Sequence, residues 1–108
     1  MEQDIPKRAK AIIAEEVEKE GCRLVRLILF GSRTRGDAHP DSDWDFYAVV
    51  DREIGFWGRE DIASRICRRL AREGIFADVF IRSKKVVQER SGNPGYLTHY
   101  AVAEGREI

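Results

Sequence analysis

Three aspartates are placed where carboxylates do chemistry. Asp43 and Asp45 flank Trp44, and alternate residues of an extended strand share a face, so the two acids point one way while Trp44 and Phe46 point to the other. Asp78 interrupts the apolar run 75–81, where an unpaired ionised carboxylate is costly. It needs a partner, either an arginine of the segment 61–73 or a cation shared with Asp43 and Asp45. Carboxylates brought together repel one another, and a bound cation relieves that repulsion. Donors that are all oxygen suit Mg²⁺, with Mn²⁺ fitting the same set, rather than Zn²⁺.

The second feature precedes these acids. Gly31-Ser32 follows an apolar run directly, and glycine lets the backbone turn so that successive N–H groups face an anion. A helix starting there adds its positive end, Ser32 a short hydroxyl, and Arg33 and Arg35 permanent charge suited to phosphate oxygens. His39 reads as a loop histidine before proline, and Asp37 and Asp41 as acids that keep the loop solvated. Tyr96, His99 and Tyr100 read as packing residues.

These side chains need a scaffold, and the periodicity supplies one. Apolar positions Ala9, Ile12, Ile13 and Val17 predict an amphipathic helix over 6–20, begun by Pro6 and ended by Gly21. Residues 23–30 read as a buried strand, 31–42 as a helix start and polar loop, and 43–50 as a second strand followed by a turn at Gly55 and Gly58. Ile62, Ile66 and Leu70 at i+4 steps mark a helix over 61–73 closed by Gly74, and 75–81 reads as a third strand. Two weaker helical stretches lie around Val86 and Val87 and over 96–104, separated by the breaker at 91–95. This order predicts an α/β fold, a small mixed sheet with helices packed on it, as a single domain over 1–108.

Bulk composition narrows the class. Apolar residues at 43% and charged residues at 35% describe a folded chain with an ionised surface. Nineteen basic residues balance nineteen acidic ones, so the chain lacks the overall positive field that nucleic acid or an anionic membrane would attract. No apolar stretch approaches the ~20 residues of a membrane span. The first residues lack the apolar core of a secretion signal, and Cys22 and Cys67 read as isolated reduced thiols, so a cytoplasmic protein is expected.

Gly31-Ser32, ten intervening residues, Asp43-x-Asp45 and a later Asp78 in an apolar strand together resemble the signature of the polymerase-beta-like nucleotidyltransferase superfamily. The runs Phe30-Gly-Ser-Arg-Thr-Arg-Gly36 and Ser42-Asp-Trp-Asp-Phe46 resemble its minimal nucleotidyltransferase branch, whose members often act as antitoxins beside a HEPN-domain toxin. The likeness covers 24–81, and Ala101-Val-Ala-Glu-Gly105 resembles that branch's ending more loosely. Thr34, where a small alanine is usual, and the bulkier Trp44 and Phe46 depart from the pattern without touching a carboxylate.

The resemblance implies a nucleotidyltransferase core and a two-metal in-line displacement at the α-phosphorus of ATP, with pyrophosphate leaving. It implies that Asp43, Asp45 and Asp78 are the catalytic and Mg²⁺-binding residues, with two ions, and that Gly31, Ser32, Arg33, Arg35 and Ser42 bind the nucleotide. The chain has no room for an added acceptor-gripping domain. The expected acceptor is therefore a hydroxyl presented by a partner protein, a tyrosine of a HEPN-type toxin. Inhibition of that toxin by contact alone, through Val87, Tyr96, Leu97 and Tyr100, and transfer to a small molecule such as an aminoglycoside are the alternatives. No membrane role and no nucleic-acid partner are expected, and a homo-oligomer is compatible with the sequence.

Overall fold

The computed structural model describes residues 4–39 and 42–108, so Asp41 lies outside the described residues. Helix α1 (Ile5–Lys19) takes Pro6 in its first turn, where a missing N–H costs nothing, and buries Ala9, Ile12, Ile13 and Val17 along one stripe. It ends where Gly21 adopts φ +78° and the Cys22 N–H returns to the Val17 carbonyl at 3.1 Å. Strand β1 (Leu24–Phe30), the short helix α2 (Ser32–Arg35) and strand β2 (Trp44–Val50) follow. Helix α3 (Phe56–Arg72) then crosses over to strand β3 (Ala77–Ser83), and helices α4 (Lys84–Arg90) and α5 (Leu97–Glu104) lead to a two-residue strand β4 (Arg106–Glu107).

The sheet has the order β3-β2-β1-β4, antiparallel except for the parallel pair β2 and β3, which is the expected small mixed sheet. Parallel neighbours need a crossover, and α3 provides it. Strand parity divides the core. Leu27, Leu29, Trp44, Phe46, Ala48, Val50, Val79 and Ile81 face α1 and α3, whereas Ile28, Phe30, Tyr47 and Val49 face α4 and α5 through Val87 and Ala101. On the second face the Tyr47 hydroxyl shares a 2.6 Å hydrogen bond with Thr98, which satisfies two buried polar groups at once.

Several boundaries differ from the expected ones for identifiable reasons. α3 begins at Phe56, with the Arg59 N–H donating to the Gly55 carbonyl at 2.9 Å, so Gly58 lies inside the helix and not in a turn. Its first turn is exposed and shows no apolar period; a Cβ on Gly58 would stand 2.7 Å from Ile54 Cγ2, which packs there instead. β3 starts at Ala77 because the Ile75 N–H still serves the end of α3, donating to the Leu70 carbonyl. It runs on through Arg82 and Ser83, which stay in register with Val49 and Val50, and Ser83 Oγ then caps α4 by accepting from the Val86 N–H at 3.2 Å. β4 was not expected at all: it is two residues long, and Gly105 brings it in, since a Cβ there would strike Ile28 and the Ala101 carbonyl.

α1 and α3 are joined by charge as well as by apolar packing. Glu16, 2% exposed, accepts from Lys19 (2.9 Å), Arg69 (2.9 Å) and Arg65 (3.2 Å), while Arg69 also reaches Glu15 and Arg65 also reaches Glu20. The Lys19 hydrogen bond, against the cost of burial and with help from Arg69 and Arg65, lowers the Glu16 carboxyl from 4.5 to about 2. A carboxyl so lowered stabilises the fold fully above pH 4.5 and loses that contribution as the pH falls towards about 2. Replacing Glu16 with alanine leaves its cations without their shared acceptor, and because those cations are partly solvated the expected loss is about 2 kcal/mol at pH 7. Urea denaturation of both proteins at pH 7 and at pH 3 checks this: the gap should narrow at the lower pH, and an equal midpoint at pH 7 would contradict it.

Candidate active site

The ends of three strands meet at one edge of the fold. Gly31, after β1, holds φ +80° and ψ −155°, a conformation side chains avoid. A Cβ at this position would run into the Asp45 carboxylate of β2, so the bare Cα is required twice over, by conformation and by space. Asp45 pairs with Phe30 on one side and with Asp78 on the other, and register partners in a sheet share a face. Asp45 and Asp78 therefore stand side by side on the face that carries α4 and α5. Asp43 precedes the first residue of β2 and is exposed, as is Asp78, while Asp45 is half-buried.

The electrostatics tie the three acids together. Burial raises the Asp45 carboxyl above its ordinary value of 3.8, and the charges of Asp78 and then Asp43 raise it further, opposed by Arg35. Among the described residues no three acid, histidine or cysteine side chains stand in an arrangement that holds a metal ion. The donor chemistry nevertheless fits a hard cation: the acids are oxygen donors with an excess of negative charge focused on Asp45.

The turn after β1 is built from its own side chains. The Gly31 carbonyl accepts from the Thr34 N–H (3.0 Å), the Arg35 N–H (3.3 Å) and the Thr34 hydroxyl (2.8 Å), and Gly36 at φ +82° ends α2. Thr34, a departure from the expected alanine, thus adds a bond. A cleft of about 550 Å³ opens beside this turn, lined by Gly31, Ser32, Arg35 and Asp45 on one side and by Phe80, Leu97, Tyr100 and Glu104 on the other.

The two arginines separate in this geometry. Arg33 donates to the Ser42 carbonyl at 2.6 Å and lies 4.3 Å from the centre of the Trp44 ring, so it braces the loop before β2. Ser42 belongs to the same brace: its hydroxyl accepts from the His39 N–H at 3.0 Å and its own N–H donates to the His39 carbonyl. Arg35 lines the cleft, with Asp37 3.5 Å from its Nε. His39 is an exposed loop residue, and His99 bonds the Ser91 carbonyl and packs edge-on against Tyr100. The opposing wall from α5 was not anticipated, since Tyr100 reads as a packing or partner-contact residue and not as part of the nucleotide cleft; it is 46% exposed and Leu97 43%. Asp78 forms no ion pair among the described residues, so the arginine partner considered for it is not found.

The sequence profile of the family described as "Polymerase beta, Nucleotidyltransferase" matches residues 10–108. No curated protein matches the chain. Two solved structures share the fold. One is a toxin–antitoxin with AMP-PNP, 23% identical, covering 78% of this chain and 59% of that chain, with a TM-score of 0.53. The other is the toxin–antitoxin MntA–HpeT, in a variant with two aspartates two positions apart changed to glutamate; it is 15% identical over 94% of this chain and 69% of that chain, with a TM-score of 0.58. The chain thus spans 59% of the length of the first. At these identities the likeness is one of fold.

A raised carboxyl makes a specific stability prediction. Ionising Asp45 costs the folded chain stability, so the benefit of its neutral form is whole below pH 3.8 and is lost as the pH rises through the raised value. Asp45→Asn, always neutral, is expected to melt a few degrees above wild type at pH 7 with chelator present, an effect limited by solvent screening. The two melting temperatures should converge near pH 3.8. Circular dichroism melts at both pH values decide it, and an Asn variant that melts lower at pH 7 would contradict the assignment of charge strain.

Proposed function

The chain belongs to the polymerase beta nucleotidyltransferase family, and from that premise we propose that it transfers the adenylyl group of ATP to a hydroxyl of a partner protein, a tyrosine of a HEPN-type toxin. The observation that carries this reading is the register of Asp45 against Asp78 with the bare Gly31 turn beneath Asp45, which sets paired carboxylates next to an anion-receiving backbone. The toxin–antitoxin solved with AMP-PNP supports ATP as the donor and a toxin as the partner. The MntA–HpeT variant adds support, because its two altered aspartates have the spacing of Asp43 and Asp45.

In this reading Ser32 and the backbone at Gly31 receive the β- and γ-phosphates, and Arg35 stabilises charge on the departing pyrophosphate. Arg33 and Ser42 are positioning residues that fix the loop leading to Asp43. Asp43, Asp45 and Asp78 would hold Mg²⁺, which when bound neutralises the triphosphate and lowers the pKa of the attacking hydroxyl. The acceptor oxygen forms a bond to the α-phosphorus, the bond from that phosphorus to the bridging oxygen breaks, and the hydroxyl proton passes to Asp78. Leu97 and Tyr100, exposed at the mouth of the cleft, give a protein acceptor an apolar surface to rest on. The same two residues, with Tyr96, favour the second reading, in which the chain inhibits its partner by contact alone.

Incubation with α-³²P-labelled ATP and Mg²⁺ in lysate of the cell of origin, followed by denaturing electrophoresis, separates the readings. Wild type should label a protein band, Asp43→Ala with Asp45→Ala should abolish it, and Arg35→Ala should weaken it by roughly tenfold to a hundredfold. No band while ATP binding is intact would overturn adenylyl transfer to protein in favour of contact inhibition or a small acceptor.

A further inference from the structure

Apart from the cleft beside Gly31, three half-buried arginines, Arg59 on α3, Arg82 on β3 and Arg90 on α4, form no ion pair among the described residues. Further along α3 the situation is the opposite, since Arg65 and Arg69 are held by Glu15, Glu16, Glu20 and Asp61. Arg59 instead donates to the Ile54 carbonyl at 3.0 Å, and Arg82 to the Ile81 carbonyl at 2.7 Å, which leaves further N–H groups on each guanidinium for a ligand. Burial, then the nearby charge of Arg59, lowers the Arg82 guanidinium from its ordinary value, with Arg90 adding to the effect and Glu60 opposing it. A half-buried cation beside like charges is a cost that an incoming anion would relieve.

Arg59 and Arg82 line two adjoining clefts, one of about 340 Å³ between α3 and β3 and one of about 320 Å³ between the loop before α3 and the junction of β3 with α4. Next to them Phe56 and Trp57 form an edge-to-face pair with centroids 5.0 Å apart, Trp57 being 82% exposed, and Arg59 lies 5.9 Å from the centre of the Phe56 ring. Exposed aromatic rings and arginine are the residue types that anchor protein interfaces. Glu53, Glu60 and Asp78 line the same clefts and would repel a continuous polyphosphate backbone, whereas a peptide offers single carboxylates separated by apolar side chains. We propose that Arg59 and Arg82, with Phe56 and Trp57 beside them, form a docking surface for an acidic, apolar segment of a partner protein. A carboxylate of that segment bridges the two guanidiniums and an apolar side chain covers the rings. Asp78 is shared with the proposed transfer site, but Arg59, Arg82, Phe56 and Trp57 have no part in that chemistry, so the docking surface is tested separately through them.

The test is an NMR titration of the ¹⁵N-labelled full chain with a short synthetic peptide of glutamate, leucine and phenylalanine, with its glutamine-for-glutamate counterpart and with a short oligouridylate. The acidic peptide should shift the Trp57 indole and the Arg59 and Arg82 Nε–H resonances saturably, roughly tenfold more tightly than the glutamine peptide. Arg59→Gln with Arg82→Gln should lower that affinity by about tenfold, while Arg68→Gln on the same helix leaves it unchanged. If the double variant does not fold, Arg59→Gln alone, in the first turn of α3 and outside the apolar core, should still weaken binding severalfold. Equal affinity for the two peptides, absence of saturable shifts, or tighter binding of the oligouridylate would overturn the proposal. So would shifts of the same resonances on concentrating the free protein, which would make the occupant a second copy of the chain.

Discussion

Where β1 ends, the chain must turn with no side chain at all, because the Asp45 carboxylate already fills the space a Cβ would need. That contact fixes much of what surrounds it. The left-handed glycine lets β1 stop at Phe30 and α2 begin at Ser32, and it keeps Asp45 opposite Phe30 in the hairpin-like pairing of β1 with β2. Once that register is set, parity sends Trp44 and Phe46 under α1 and α3 and turns Asp45 towards α4 and α5. A slip by one residue would turn the acid into the layer under α1 and α3 and move the rings to the other face.

The same constraint concentrates charge. The parallel pairing of β3 brings Asp78 level with Asp45, and the half-buried carboxyl is held above its ordinary value by burial and by its two acidic neighbours. A stable fold carrying such a cluster has given up some stability at that point, and it is secured elsewhere, through the apolar layers on both faces of the sheet and the Glu16 network between α1 and α3. Strain at the strand ends and security in the helices occupy separate parts of the fold. No helix among the described residues is long and apolar enough to cross a membrane.

Much of this was legible in the sequence because it is local. The alternation around Trp44 and the i+4 spacing of Ile62, Ile66 and Leu70 each state their own environment. The lone acid in 75–81 does not, because the strand lies at the sheet edge and leaves Asp78 exposed instead of buried without a partner. What depends on non-local pairing was not. Nothing near Leu97 or Tyr100 announces that α5 walls the cleft, and nothing near Arg33 says that its guanidinium will settle on Trp44 while Arg35 remains beside Asp45. The first turn of α3 exposes Phe56 and Trp57 and so lacks the buried period that marks a helix, and β4 is too short to alternate. The family resemblance supplied the order of roles, and the strand register supplies the geometry in which those roles are proposed.

In the proposed function the Gly31 turn and the carboxylates beside it form one metal-dependent triphosphate site. Calorimetric titration of the full chain with AMP-PNP, with Mg²⁺ and with chelator, tests it most directly, using wild type and Gly31→Ala. Wild type should bind saturably only when Mg²⁺ is present, and binding should be lost in a Gly31→Ala protein that remains folded by circular dichroism. Binding of equal strength without the metal, or unchanged binding by Gly31→Ala, would contradict it.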